Sequence, residues 1–130
     1  MPKKFKVFID TSVLLSGLNS PGGASGIILS ASVLQKITPI ISEQVIEESE
    51  RNITKKFPLL QSSFEAFFLI PPFIAKNPTL KEVRNAHTIL PTTDAPILAS
   101  AIKTNPDFLT TLDKNHFLLL ISSCNKRNTY

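Results

Sequence analysis

Acidic residues are the side chains in this sequence whose positions are most suited to chemistry. The aspartates stand at four positions, Asp10, Asp94, Asp107 and Asp113. Asp10 and Asp113 each directly follow an apolar run typical of a strand, and Asp94 falls in the first turn of a predicted helix. Carboxylates gathered at one edge of a sheet repel one another and need a cation, and oxygen ligands suit Mg²⁺ or Mn²⁺. Because such an ion can activate water and stabilise charge on a phosphate oxygen, the pattern is suited to phosphodiester hydrolysis.

The same aspartates also have a purely structural interpretation. An aspartate at the end of a strand is a common turn former. An aspartate in the first turn of a helix complements the helix dipole, which would account for Asp94. Residue pattern alone leaves both interpretations open.

A fourth carboxylate can come from the helix predicted over residues 43–56, for which Ser42 is a natural N-cap. At about 100° per residue, its inward stripe comprises Val45, Ile46, Ser49 and Ile53. Glu48 flanks that stripe, whereas Glu47 points away from it and can pair with Arg51 one turn later. We therefore select Glu48 for the acidic cluster and keep Glu47 as the alternative.

The elements that must position these carboxylates alternate along the chain. Strands are predicted over residues 5–9, 37–41, 73–75, 108–112 and 117–121. Helices are predicted over residues 24–34, 43–56, 59–70, 80–89 and 94–103. Residues 10–12 are interpreted as a polar loop, and residues 13–18 as a weak apolar stretch before a turn. This alternation predicts an α/β fold with a parallel sheet covered by helices on both faces, where sites form at the carboxyl ends of strands.

Bulk properties set the remaining bounds. With 130 residues, 42% of them hydrophobic and 18% charged, we expect one domain over residues 1–130 with a polar tail from about 125. Cys124 is the single cysteine and cannot form an internal disulfide. No apolar run approaches the roughly 20 residues that span a bilayer, and the start does not resemble a signal peptide, so we expect a cytoplasmic protein without a membrane partner. A net charge of +4 is compatible with an anionic partner.

Four segments of the sequence carry a resemblance to a known family. They are residues 7–15 (VFIDTSVLL), 42–48 (SEQVIEE), 94–101 (DAPILASA) and 108–117 (FLTTLDKNHF). No single segment is specific, but in this order and spacing the four resemble the PIN domain family. The resemblance spans the chain from the first strand to residue 117.

This resemblance implies a flavodoxin-like three-layer sandwich with a parallel sheet of four to five strands. It implies an endoribonuclease that hydrolyses RNA phosphodiester bonds with Mg²⁺ or Mn²⁺. The implied catalytic and metal-binding residues are Asp10, Glu48, Asp94 and Asp113. Ser12 and Thr111 would hydrogen-bond to these ligands or to the scissile phosphate. Many relatives are VapC-like toxins of bacterial toxin–antitoxin pairs that act as homodimers inhibited by a small antitoxin protein, and we expect the same role and partners here.

The sequence departs from the family pattern at Asn115, where many members carry a further acidic residue. A neutral amide could orient a metal-bound water but would weaken a second metal site, so the number of metal ions stays open. The alternative is a catalytically weak or inactive PIN domain that acts as an RNA-binding or protein-interaction module. A phosphatase or phosphotransfer domain is a second rival, but nothing after residues 37–41 supplies the Lys and Ser/Thr that it would need.

Other residues have competing interpretations. Lys114 lies next to Asp113 and is the basic residue with a positional argument for binding RNA. His87 and His116 could act as general bases, although packing or a phosphate contact suits His116 better. Three aromatic residues fall at helical spacing within residues 59–70, namely Phe64, Phe67 and Phe68. They indicate either core packing or an apolar seam for a dimer or an antitoxin.

Overall fold

The computed structural model describes residues 4–89 and 95–112. Within these ranges the strands are β1 (Lys6–Ile9), β2 (Thr38–Ser42), β3 (Phe73–Ala75) and β4 (Phe108–Thr110). They form one sheet in the order β3-β2-β1-β4, and every neighbouring pair is parallel. The carboxyl ends of β1 and β4 therefore meet at one edge, where Ile9 is in register with Thr110. This arrangement confirms the predicted α/β class.

The described helices are α1 (Thr11–Asn19), α2 (Ala24–Val33), α3 (Glu43–Lys56), α4 (Gln61–Phe67), α5 (Leu80–Ile89) and α6 (Ala95–Thr104). The bounds predicted for α3, β3 and α5 are confirmed. Ser42 caps α3 as predicted, because its hydroxyl oxygen accepts the N–H of Val45 at 3.1 Å. The strand predicted over residues 117–121 lies outside the described residues, as does residue 94, the predicted start of the last helix.

The prediction for residues 10–18 is wrong, because the segment interpreted as a polar loop and a weak apolar stretch is helix α1. Asp10 has an extended backbone, and its carboxylate accepts the N–H of Thr11. It is therefore the N-cap of a helix that begins directly after β1. The strand and the helix meet at Asp10, without a loop between them.

Several predicted boundaries also differ from the structure, and three of these differences have a local cause. Helix α2 ends one residue before the predicted position 34, and Gln35 follows with a left-handed φ of 57°. Residues 59–70 do not form one helix, since Pro58 begins a 3₁₀ turn over Pro58–Leu60 and α4 ends at Phe67. Strand β4 ends at Thr110, two residues early, because Thr111 turns its hydroxyl towards Asp10.

Two layers of helices enclose the sheet. On one face, β1 and β2 contribute Val7, Ile9 and Ile41 to a buried cluster shared with α1, α2, α3 and α4. On the other face, Phe8 and Ile40 pack against α6. A smaller cluster joins α5 to α6. Neighbouring residues of a strand point to opposite faces, so β1 serves both layers, and the predicted three-layer sandwich is confirmed.

The aromatic side chains of α4 belong to the first of these layers. Phe64 and Phe67 are buried in the cluster shared with α1, α2 and α3, and Phe68 packs against it. The rings of Phe64 and Phe68 meet edge to face, with centroids 4.9 Å apart. Core packing is therefore the use that the structure shows for these residues. Across the described ranges, no helix is long and apolar enough to cross a membrane.

Close contact between α1 and α2 fixes the position of the helix that begins at Asp10. Gly17 of α1 lies so near α2 that a Cβ atom there would stand 2.5 Å from Cδ1 of Leu29. A Cβ atom on Gly26 of α2 would overlap the backbone of Pro21. Neither glycine has a positive φ, so the small size of glycine is what these two positions require.

Candidate active site

Asp10 is the residue at which β1 ends and α1 begins. Its backbone N–H donates to the carbonyl oxygen of Thr110 at 3.2 Å, which extends the pairing of β1 with β4 by one step. Its Oδ1 accepts the N–H of Thr11 at 2.7 Å. The half-buried carboxylate is therefore held at the carboxyl edge of the sheet.

The second carboxylate oxygen of Asp10 accepts two hydroxyl groups. Ser12 Oγ donates to Oδ2 at 3.2 Å, and Thr111 Oγ1 donates to the same oxygen at 2.7 Å. Ser12 Oγ also accepts the N–H of Leu112 at 3.1 Å, which ties the segment after β4 to the start of α1. Hydrogen bonding to a candidate ligand is one of the two roles that the resemblance implied for Ser12 and Thr111.

Glu48 is half-buried on α3, and its carboxylate faces the end of β1. Thr11 Oγ1 donates to Oε2 at 3.0 Å, and Gln44 Nε2 donates to Oε1 at 3.3 Å. Thr11 is the residue directly after Asp10, so these hydrogen bonds bring the Glu48 carboxylate to the same edge as the Asp10 carboxylate.

Glu47, the alternative carboxylate, is exposed. The possible pairing with Arg51 is not present among residues 4–89 and 95–112, where the ion pair is Lys103–Glu82, at 3.5 Å. Exposed side chains one turn apart gain little from pairing in water, which is why such pairs form irregularly.

The other predicted site residues fall outside the described residues. These are Asp94, Asp113, Lys114 and Asn115, and His116 is outside as well. Their chain neighbours are described: α6 begins at Ala95, and Leu112 donates its N–H to Ser12. The roles of all five stay predictions. His87 is described and lies exposed on α5.

With this geometry established, comparison with known proteins gives one result. The family model described as PIN domain matches residues 6–115. The chain belongs to the PIN domain family. No curated protein and no solved structure matches it. The matched range includes every residue predicted for the site.

PIN domains are in general nucleases that use divalent metal ions. In this PIN domain, Asp10 and Glu48 offer carboxylate oxygens, and the described side chains that hydrogen-bond to them do so through hydroxyls and an amide. A donor set of oxygen alone fits a hard cation such as Mg²⁺ or Mn²⁺. Within the described part of the chain, no three His, Cys, Asp or Glu side chains converge to hold a metal ion. The predicted set is completed by Asp94 and Asp113, which lie outside that part.

Two residues with direct contacts to this PIN-domain site were missed by sequence reasoning, Thr11 and Gln44. An aspartate followed by residues that can start a helix is a usual N-cap pattern, and it would have placed Thr11 in the first turn of α1. Gln44 precedes Glu48 by four residues, the spacing at which side chains on one helix face can hydrogen-bond. Both patterns can be read from a few neighbouring residues of the sequence.

Asp107 has a structural use at the opposite end of the sheet. Its Oδ2 accepts the N–H of Lys6 at 2.7 Å, and its own N–H donates to the carbonyl oxygen of Lys6 at 2.8 Å. These bonds fasten the start of β4 to the start of β1. Asp107 thus has a structural role, the kind of role that was the alternative interpretation for the candidate aspartates.

Proposed function

We propose that this PIN domain is a metal-dependent endoribonuclease that hydrolyses RNA phosphodiester bonds with Mg²⁺ or Mn²⁺. The observation that carries the proposal is that Asp10 and Glu48 both accept hydrogen bonds from Thr11 at the carboxyl edge of a parallel sheet, in a family of nucleases. Asp94 and Asp113 complete the proposed set of ligands. Ser12, Thr111 and Asn115 support it.

The hydrogen bonds in the site suit carboxylates that hold a cation. Ser12 and Thr111 direct their hydroxyl hydrogens at one oxygen of Asp10, which fixes the plane of its carboxylate. Thr11 and Gln44 do the same for the two oxygens of Glu48. When bound, the metal ion would supply an activated water and stabilise charge on the phosphate. Such supporting hydrogen bonds typically orient metal ligands in proteins.

The substrate is proposed to be RNA, held in part by Lys114 next to Asp113. The net charge of +4 favours association with a polyanion, and phosphate contacts of this kind weaken as salt increases. We also propose that residues 1–130 act as one domain, in the cytoplasm, as a homodimer. Its role would be that of the toxin in a toxin–antitoxin pair, inhibited by a small antitoxin protein.

Asp10→Asn is the variant that tests the proposed chemistry. Asparagine caps a helix about as well as aspartate, so the fold should survive. Loss of the carboxylate should lower the rate of Mn²⁺-dependent RNA cleavage by more than about 100-fold, since even residues that only support a metal ligand cost about 10- to 100-fold. The measurement is cleavage of a labelled single-stranded RNA, with single-stranded DNA of the same sequence in parallel.

Asp107→Asn is the matched control, because it removes a carboxylate of the same type at the opposite end of β1. It should cut RNA at the unmodified rate. If Asp10→Asn also cut RNA at that rate, the proposed site would be wrong. Equal cleavage of RNA and DNA would instead correct the substrate class.

A second candidate function is an inactive PIN domain that binds RNA or protein without cleaving, for which Asn115 is the motivating residue. Titration of Mn²⁺ into the purified protein separates the two functions. Binding at or below millimolar Mn²⁺ supports the nuclease, and absence of binding favours the inactive module.

A further inference from the structure

Thr11 is the residue that links the two carboxylates of the described site. Its backbone N–H donates to Asp10 Oδ1 at 2.7 Å, and its hydroxyl donates to Glu48 Oε2 at 3.0 Å. The side chain is buried, with 9% of the residue exposed. Asp10 ends β1 while Glu48 belongs to α3, so one small residue joins carboxylates from two separate elements.

Gln44 holds the other side of the Glu48 carboxylate. Its Nε2 donates to Oε1 at 3.3 Å, so each oxygen of Glu48 receives one donor. A glutamate on a helix surface has three rotatable side-chain bonds and would otherwise sample several positions. Since a carboxylate has about four acceptor sites, both oxygens keep capacity for a cation after these bonds are made.

We infer that Thr11 is a positioning residue that sets the Glu48 carboxylate at a fixed place relative to Asp10, ready to share a divalent cation. Gln44 assists from within α3. The inference rests on the proposed function, because it assumes that Glu48 is a metal ligand. Thr11 acts through Glu48, because its hydroxyl hydrogen is directed at that carboxylate.

Thr11→Val is the discriminating substitution, since valine keeps the shape of threonine and removes the hydroxyl. It should weaken Mn²⁺ binding about 10-fold or more, the usual effect of losing a group that orients a ligand. Thr11→Ser keeps the hydroxyl and should restore binding to near the unmodified affinity. Gln44→Leu should have a smaller effect in the same direction, because its hydrogen bond is longer.

Dependence on Glu48 distinguishes positioning from a general loss of structure. In a Glu48→Gln background, adding Thr11→Val should change Mn²⁺ affinity by less than about twofold, because two residues that act as one unit are not additive. Thr54→Val is the matched control, as Thr54 is an exposed threonine of α3, and it should leave Mn²⁺ affinity unchanged.

The experiment measures Mn²⁺ binding to the purified full chain by calorimetry or electron paramagnetic resonance without RNA, alongside unfolding by urea. If Thr11→Val does not fold, Thr11→Ala takes its place. Binding by the unmodified protein together with equal binding by the folded Thr11→Val variant overturns this inference and leaves the proposed nuclease intact. A full effect of Thr11→Val in the Glu48→Gln background also overturns it. No Mn²⁺ binding by the unmodified protein overturns both proposals.

Discussion

The helices on the two faces of the sheet bury side chains of different size. The face towards α1, α2, α3 and α4 buries large residues, among them Ile9, Leu14, Ile41, Val45 and Ile53, all of them 0% exposed. On the other face the sheet contributes the large residues Phe8 and Ile40, but the described buried residues of α5 and α6 are mostly small, namely Ala86, Ala99 and Ala101 beside Leu98. Alanines allow close approach of helix and sheet, but each buries less apolar area and so contributes less stability.

This difference bears on how the elements of the described site are packed. The helices that begin at Asp10 and carry Glu48 both belong to the layer of large side chains. The layer of α5 and α6 also has hydrogen bonds and an ion pair at its surface. Just before α5, the backbone N–H of Thr79 donates to the Glu82 carboxylate, and the backbone N–H of Glu82 donates to the Thr79 hydroxyl. Glu82 also forms an ion pair with Lys103 of α6. Substitutions in the two layers should therefore lower the free energy of unfolding by different amounts.

The largest effect is expected for Ile53→Ala in α3. Removing a fully buried isoleucine side chain leaves a cavity and should lower the free energy of unfolding by about 2 to 5 kcal/mol. Urea unfolding followed by circular dichroism measures it. Leu59→Ala is the control, because Leu59 is 94% exposed, and it should change stability little. Similar losses for both variants would contradict the assignment of the core to this layer.

A smaller loss is expected for Gly26→Ala, which tests the close contact between α2 and the turn before it. The added methyl group would overlap the backbone of Pro21, and overpacking of this kind costs about 1 to 3 kcal/mol. Gly22→Ala is matched to it, because Gly22 has open space around the position of a Cβ atom and no positive φ. Thermal unfolding should separate the two variants, and equal melting temperatures would show that the contact is less close than described.

The smallest effect is expected for Thr79→Ala in the α5 and α6 layer. Loss of this N-cap should cost about 1 kcal/mol, measured by urea unfolding at neutral pH. Thr54→Ala replaces an exposed threonine inside a helix and should not destabilise the protein. A loss as large as that of Ile53→Ala would remove the contrast between the layers.

The same variant should alter the response of stability to acid. The pKa of Glu82 is lowered, first by the hydrogen bond from the Thr79 backbone and also by the Thr79 hydroxyl and the charge of Lys103. Because the folded pKa is below the unfolded one, the contribution of Glu82 is fully present above the unfolded pKa and is lost as pH falls through the folded pKa. Thr79→Ala keeps the backbone N–H and removes only the hydroxyl, so it should weaken this acid-dependent loss in part. A pH series of unfolding curves that ran parallel to the unmodified series would contradict the contribution of the Thr79 hydroxyl to the lowered pKa.

Local signals in the sequence predict much of this fold. Ser42 and the apolar stripe of α3 give both the start of that helix and the orientation of its two neighbouring glutamates, since Glu48 is half-buried and Glu47 is exposed as the helix geometry requires. Local patterns do not predict contacts between residues that are far apart in the sequence. The hydroxyl of Thr111 donates to Asp10, 101 residues away in the chain, and β4 ends at the residue before it. No local pattern in residues 108–112 predicts this hydrogen bond.

The main error of the sequence-based prediction concerns helix α1. A short apolar strand followed by Asp-Thr-Ser fits a turn as well as a helix start, and the choice is decided by packing of α1 against α2 at Gly17 and by burial of Val13 and Leu14. Both conformations are compatible with the local sequence, in which Asp10 is also an N-cap signal, and tertiary contact selects the helix. The link from Thr11 to Glu48 became visible only with that helix in place.

The hydrogen bonds of Asp10 span very different lengths of chain, and this has a consequence for how the protein acquires its chemistry. The bonds to Thr11 and Ser12 are local, whereas the link of Thr11 to Glu48 closes 37 residues and the bond from Thr111 closes 101. Long closures form late in folding because their loop entropy must be overcome first. In a chain that is still being synthesised, we therefore expect Asp10 to cap α1 early. The hydrogen bond from Thr111 to Asp10 can form only after β4 has paired with β1.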